Sequence, residues 1–320
     1  MANVAVIGST SWGTTLATLM ARAGHDVRLL ARTQQEAERA DTSLSTFRAT
    51  CHPCIAFECA SHVLWAVPSQ TMRANAERFG PHLHGPVCHT SVAKGLEVET
   101  GMRMTEVLAD TLPRDAQSAL CALSGPNLAR EIAEGLPAAA VVASKDTSMR
   151  KEVERLVASP RFMTVPSDDI VGVELAGALK NIVALGAGMM DGLGLGDNAK
   201  AAFIALTWSE VISFAVDMGA RESTLYGLAG FGDVVATCVS DLSRNHYLGS
   251  EVAKGGRLDD VLASMQHVAE GVHTAAAVYR ICQERKLEAP IMTSVYRVLF
   301  EKYPVARAVA RFTGQVQRSP

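Results

Sequence analysis

Short β-branched runs alternate with helical periodicity from the start of the chain to about residue 165, and only long helical patterns follow. The run from Asn3 to Ile7 ends at Gly8, a helical pattern covers Trp12 to Ala23, and a second apolar run covers Asp26 to Ala31. Strands are then predicted at His62 to Val67, Pro86 to Ser91, Leu120 to Leu123 and Ala138 to Ala143, with a helix over Gln70 to Phe79 and another after Asn127. Around Ile55 and Phe57 the pattern also looks extended. Alternating strands and helices predict an α/β Rossmann-type, doubly wound, mostly parallel sheet, whose ligands collect at the carboxyl ends of strands. Ser69, Lys94, Ser124 and Asn127 stand at such ends. The boundary is expected near residues 165–170, giving a dinucleotide-binding domain over 1–167 and an all-helical substrate and catalytic domain over 168–320.

In the second half, Ile170 to Met190 is apolar on nearly every side of a helix and should be buried. Lys180 sits inside it. An ammonium there costs several kcal/mol unless it is paired or neutralised, and such a lysine can trade protons near neutrality. Its other reading is a side chain that snorkels to water or pairs with Glu174. No other stretch has the length of a membrane span. Glu174, Lys180 and Asn181 near its centre argue against crossing, at about 2.5–3.5 kcal/mol for each charge. Asp191 to Asp197 predicts a glycine-rich loop, with Asp197 capping a helix to about Met218. Ser243-Arg244-Asn245 should open a further helix, and helices are expected over Leu258 to Met265, Thr274 to Arg285 and Ile291 to Glu301.

The first turn reads Gly8-Ser9-Thr10-Ser11-Trp12-Gly13 between strand and helix, the place where a pyrophosphate meets a helix N-terminus. Gly8 and Gly13 match the outer glycines of G-x-G-x-x-G, but Thr10 stands where the middle one belongs. At the end of the second run come Ala31-Arg32-Thr33 where a ribose-binding acid is expected, and Arg32 there can accept a 2′-phosphate.

Net charge −3 and pI near 6.3 give no electrostatic case for nucleic acid or anionic membrane, so small-molecule chemistry is the better expectation. No basic leader or cleavage site precedes the first apolar run, which predicts a cytoplasmic protein without stable membrane insertion. The seven cysteines then read as free thiols. Cys51, Cys54, Cys59 and His62 are four potential zinc ligands, but their spacing is not a usual one and no metal is expected.

GSTSWG, SVAKGLE, LSGPNLA, VELAGALKNIVALGAG, GLGDNAKAAF, GLAGFGDVVATC, SRN and VAEGVHTA, in this order along essentially the whole chain, resemble the bacterial NAD(P)-dependent sn-glycerol-3-phosphate dehydrogenases. The resemblance implies a Rossmann domain followed by an all-helical domain, in the 6-phosphogluconate dehydrogenase-like arrangement, and a homodimer. It implies hydride transfer between NAD or NADP and C2 of dihydroxyacetone phosphate or sn-glycerol 3-phosphate, supplying phospholipid synthesis. By residue it implies Lys180 as proton carrier, and Lys94, Gly125, Asn127, Lys180, Asp233, Ser243, Arg244 and Asn245 as substrate contacts. The cofactor positions it implies are Gly8, Ser11, Trp12, Gly13, Arg32, Lys94, Ala129, Arg244, Val268 and Glu270.

The chain also departs from that family. Thr10 replaces a glycine, Asn127 stands where Ser or Thr is usual, Ala205-Leu206-Thr207 replaces a stretch that usually carries Arg-Gly, and the Cys51 to His62 segment is compressed. Thr10→Gly is expected to tighten cofactor binding. Two other functions stay open at this point: a non-catalytic nucleotide-binding homologue, and a reductase of another phosphorylated hydroxy compound.

Overall fold

A computed structural model of the chain describes residues 1–43, 46–240, 242–265 and 268–312. The chain divides into two compact units, one of Met1–Lys94 with Arg103–Glu174 and one of Gly95–Met102 with Leu175–Pro320.

The first unit holds an eight-stranded sheet: β1 (Asn3–Ile7), β2 (Asp26–Leu30), β3 (Arg48–Thr50), β4 (His62–Trp65), β5 (Val87–Ser91), β6 (Gln117–Ser124), β7 (Ala138–Ala143) and β8 (Phe162–Ser167). Spatial order is β3-β2-β1-β4-β5-β6-β7-β8, with every neighbouring pair parallel except β6 with β7. Its helices are α1 (Ser11–Arg22), α2 (Gln34–Ser43), α3 (Pro53–Ala56), α4 (Met72–Phe79), α5 (Met104–Thr111), α6 (Ala129–Ala133) and α7 (Thr147–Val157). β4 and β5 are buried along their whole length, which is why Val63 to Trp65 read as an unbroken apolar run instead of an alternating one, whereas β5 carries the buried polar residues His89, Thr90 and Ser91. The core joins Val4, Val6, Leu29 and Leu64 from the sheet to Leu16 and Met20 of α1 and Leu156 of α7.

The second unit carries α8 (Ile170–Gly192), α9 (Gly196–Asp217), α10 (Glu222–Tyr226), α11 (Asp233–Val239), α12 (Arg244–Ala253), α13 (Leu258–Ser264), α14 (Glu270–Arg285), α15 (Pro290–Phe300) and α16 (Val305–Phe312). The first turn of α8, as far as Glu174, belongs to the first unit. α8 is 94% buried over its most apolar stretch, so its hydrophobic circumference is spent on protein packing. α8 and α12 touch backbone to backbone: a Cβ on Gly188 would stand 2.0 Å from the His246 carbonyl oxygen, and one on Gly249 1.9 Å from that of Leu185.

Four expectations change. Ile55 is helical, in α3, because Pro53 at its first position presets a helical φ. Asp197 does not cap α9; the helix begins one residue earlier, and Asp197 lies in its first turn with its carboxylate on Lys200 at 3.2 Å. α8 is not alone in having the length and apolarity of a membrane span, since α9 shares them while only 39% buried. Glu174 does not pair with Lys180; it accepts from Arg103 Nη1 and from the backbone N–H and hydroxyl of Thr105, while burial pushes its carboxyl above the usual range against the pull of Arg103 and Thr105.

Candidate active site

In the first unit, Gly8 leaves β1 at φ +110°, and a Cβ there would stand 2.8 Å from the Ala66 carbonyl oxygen. A Cβ on Gly13 would lie 2.2 Å from the Gly8 carbonyl oxygen, so only glycine fits either outer position of this turn. The middle position differs in kind. Thr10 is the N-cap of α1: its hydroxyl accepts from the Gly13 N–H at 3.0 Å and donates to the Ala66 carbonyl at 3.0 Å. Ser11 and Trp12 open the helix, where backbone N–H groups have no preceding helical carbonyl and the helix dipole favours an anion. Arg32, just past β2, is at the surface with its guanidinium held by Glu36.

The ends of β5 and β6 collect the next group. Lys94 Nζ donates to the Gly125 carbonyl at 2.7 Å. Gly125 takes φ +136°, a conformation costly for any other residue. Asn127 Nδ2 donates to the Ala139 carbonyl at 2.9 Å, and the Ala129 carbonyl accepts from the Thr15 hydroxyl at 3.3 Å. Asn127 Oδ1, Ser91 Oγ and Ser124 Oγ are buried without a hydrogen-bond partner in the protein. Unpaired polar atoms there, with a glycine-lined turn at a helix N-terminus, fit a dinucleotide.

In the second unit, Lys180 is 7% exposed, and its Nζ lies 2.5 Å from Asp233 Oδ1 and 2.6 Å from Thr237 Oγ1. Asp233 is itself 1% exposed at the start of α11, and the Thr237 hydroxyl donates to the Asp233 carbonyl at 2.6 Å. The ammonium is therefore desolvated but paired, with Asp233 and Thr237 taking two of its three N–H donors, the condition under which a buried charge is tolerated. Beside it, Asn181 Oδ1 accepts from Asn245 Nδ2 at 2.9 Å, and Asn245 Oδ1 accepts from the Gly271 N–H at 3.0 Å. Ser243 caps α12, accepting from the His246 N–H at 3.3 Å. Arg244 takes the first position of that helix with part of its side chain exposed; desolvation of its guanidinium lowers its pKa, and the Glu270 carboxylate at the start of α14 opposes this. Val268 is 42% exposed.

The structure thus joins Lys180 to Asp233, Lys94 to Gly125, and Gly8 to Gly13. Within the serine-arginine-asparagine triplet it assigns Ser243 and Asn245 local bonds and leaves Arg244 outermost. Thr237 and Asn181 were absent from the candidates. The signal for Thr237 is its spacing of four from Asp233 on one helical face, and for Asn181 its place next to Lys180. Cys51 Sγ contacts Gln34 and Cys54 Sγ contacts His82, while His62 bonds to Ser61 and lies against Glu152. Among the described residues, no group of three or more His, Cys, Asp or Glu is placed to hold a metal.

Residues 3–150 match the family model of the NAD-dependent glycerol-3-phosphate dehydrogenase N-terminus, and residues 169–310 match that of the C-terminus. The chain is 42% identical over 315 residues to the glycerol-3-phosphate dehydrogenase [NAD(P)+] of Dehalococcoides mccartyi, covering 94% of this chain and 87% of that one. With the enzyme of the same description from Syntrophotalea carbinolica it shares 42% identity over 322 residues and 96% of both chains. Among solved structures, glycerol-3-phosphate dehydrogenase from Coxiella burnetii superimposes with a TM-score of 0.92 at 31% identity, covering 97% of this chain and 98% of that one. A PanE/ApbA family ketopantoate reductase from Ralstonia eutropha shares the fold, at a TM-score of 0.63 and 16% identity over 97% of this chain and 99% of that one.

Proposed function

The chain belongs to the NAD-dependent glycerol-3-phosphate dehydrogenase family, and on that premise we propose that Lys180 carries the proton at the reacting carbon. The activity is the interconversion of dihydroxyacetone phosphate and sn-glycerol 3-phosphate with NAD or NADP, supplying glycerol phosphate for phospholipid synthesis. The nicotinamide, when bound, supplies or removes the hydride. In the direction of reduction the Lys180 ammonium gives its proton to the C2 oxygen, and in oxidation the amine takes it back. Asp233 and Thr237 hold that nitrogen in place and keep its charge compensated. Asn181 stands next to it, fixed by Asn245.

Arg244 and the opening amides of α12 take the substrate phosphate, with Ser243, Asn245, Lys94, Gly125 and Asn127 completing the substrate contacts. Gly8, Ser11, Trp12, Gly13, Arg32, Lys94, Ala129, Arg244, Val268 and Glu270 contact the dinucleotide. The dinucleotide-binding domain spans 1–167 and the catalytic domain 168–320; the enzyme works in the cytoplasm as a homodimer. One observation carries the chemical part: an ammonium only 7% exposed, 2.5 Å from a carboxylate that is itself buried. The test is a rate assay in which the purified protein oxidises NADH or NADPH with dihydroxyacetone phosphate and scarcely with unphosphorylated dihydroxyacetone. Equal rates on both ketones refute the phosphate contacts, and binding without turnover refutes the proton carrier.

A further inference from the structure

The carboxylate of Glu36, in the first turn of α2, ties together two parts of the dinucleotide turn. Its Oε2 accepts from Ser9 Oγ at 3.0 Å, inside the glycine turn, and from the Arg32 backbone N–H at 3.2 Å, just past β2. The same carboxylate chelates the Arg32 guanidinium, with Nε 3.1 Å from Oε1 and 3.3 Å from Oε2, and Nη2 2.5 Å from Oε1. The other arginine of this strand, Arg28, is committed to the Ile55 and Glu58 carbonyls and to the Glu58 and Asp26 carboxylates. These bonds, the Arg32 fork first and then Ser9, hold the Glu36 carboxyl below its ordinary range despite partial burial, so it is anionic at neutral pH.

On a strand-turn-helix dinucleotide site, the residue past the second strand meets the adenosine ribose: an acid there accepts from the 2′-hydroxyl, whereas an arginine takes a 2′-phosphate. This chain has both, and the acid already holds the arginine. We propose that Glu36 makes the chain select NAD over NADP, by placing a carboxylate and an already neutralised arginine where a 2′-phosphate would have to sit. The 2′-hydroxyl is a donor that a carboxylate accepts. A 2′-phosphate is an acceptor bearing up to two negative charges; it would meet the outer edge of a guanidinium whose Nε and Nη2 are already taken, beside a carboxylate that repels it, and could take those donors only by displacing Glu36. Ser9 makes the displacement harder, because it anchors the acid from the turn side. The inference rests on the placement of the dinucleotide at Gly8 to Gly13 proposed above.

Dissociation constants for NAD and NADP, measured by calorimetry on the intact protein without substrate, test it. The unmodified chain should bind NAD at least about tenfold more tightly than NADP. Glu36→Gln preserves the shape and removes the charge, and should move the ratio at least about tenfold toward NADP, a gain that a second change, Arg32→Ala, abolishes. Ser9→Ala removes only the anchor and should move the ratio in the same direction by a smaller factor. The proposal is overturned if the unmodified chain binds NADP as tightly as NAD, or if neither Glu36→Gln nor Ser9→Ala changes the ratio. Gly13→Val separates it from its premise, since a side chain there should weaken both dinucleotides alike. If both still bind at full strength, the dinucleotide does not sit on this turn and the role of Glu36 falls with that placement; if both are lost while Glu36→Gln leaves the ratio unchanged, only the role of Glu36 falls.

Discussion

The two units prepare for ligands in opposite ways. In the first, the groups proposed to bind come from the backbone of a turn that tolerates only glycine at Gly8 and Gly13, and from side-chain oxygens at strand ends without a partner in the protein, Ser91 Oγ, Ser124 Oγ and Asn127 Oδ1. In the second, Lys180, Asp233, Thr237, Asn181 and Asn245 are already bonded to one another or to backbone. A parallel sheet ends all its strands at one edge, so unpaired groups accumulate there. A helical unit buries its polar groups along helix flanks, where each must find a partner or pay for desolvation. The first site should therefore be fragile to added bulk, and the second to lost partners.

The largest expected effect is on turnover. Lys180→Ala should lower kcat by about 10²–10⁴-fold while KM shifts much less, measured by steady-state kinetics with dihydroxyacetone phosphate. An unchanged kcat would remove Lys180 from the chemistry. Asp233→Asn tests the partner. It leaves a buried ammonium without its counter-charge and should cost about 3–5 kcal/mol of stability in denaturant unfolding together with most of the activity. A loss below about 1 kcal/mol would mean that the pair is solvated in solution.

A third experiment probes the first unit. His89 is buried on β5, its Nδ1 accepting from Trp65 Nε1 at 3.2 Å and its Nε2 lying 3.2 Å from the Ala116 carbonyl, and burial pushes its pKa down to about 4 although the Ala116 bond opposes this. Between about pH 6.5 and 4 the unfolded chain takes up a proton that the folded one refuses, so this contribution to stability is present above that window and is lost as pH falls through it. The loss reaches about 3 kcal/mol at its acid end. Melting temperatures across this range should fall less steeply in His89→Gln; parallel curves would refute the assignment.

Thr10→Gly is the smallest effect and the sharpest for the contrast. Glycine is itself a tolerated cap, so the change should cost only about 0.3–0.5 kcal/mol, seen as a slightly lower melting temperature. It also frees the Gly13 N–H and removes a Cβ from the turn, so dinucleotide affinity should rise while stability falls. If affinity falls with stability, the hydroxyl contacts the ligand as well as the helix.

Much of the frame was legible in local pattern. The β1-turn-α1-β2 opening, the parallel sheet, the buried helix around Lys180 and the helix start at Ser243 all follow from periodicity and capping chemistry. α2 and α11 were not anticipated, and with them went Glu36 and Thr237. The extended reading of Ile55 failed because Pro53 starts a single helical turn that is too short to show a period. Glu174 lay near Lys180 in sequence and looked like its partner, yet the partner is Asp233, 53 residues further on.

The amino-acid order by itself determined the alternation that makes a sheet, the glycines without which the first turn cannot close, and the apolar circumference that puts a lysine inside the protein, because each is set by sterics and hydration within a few residues. Only the tertiary structure decided which carboxylate meets that lysine, which asparagine bonds to its neighbour and which acid holds Arg32. Those pairings depend on where helices cross, and the crossings are set by contacts such as Gly188 and Gly249 between α8 and α12 that no local period encodes.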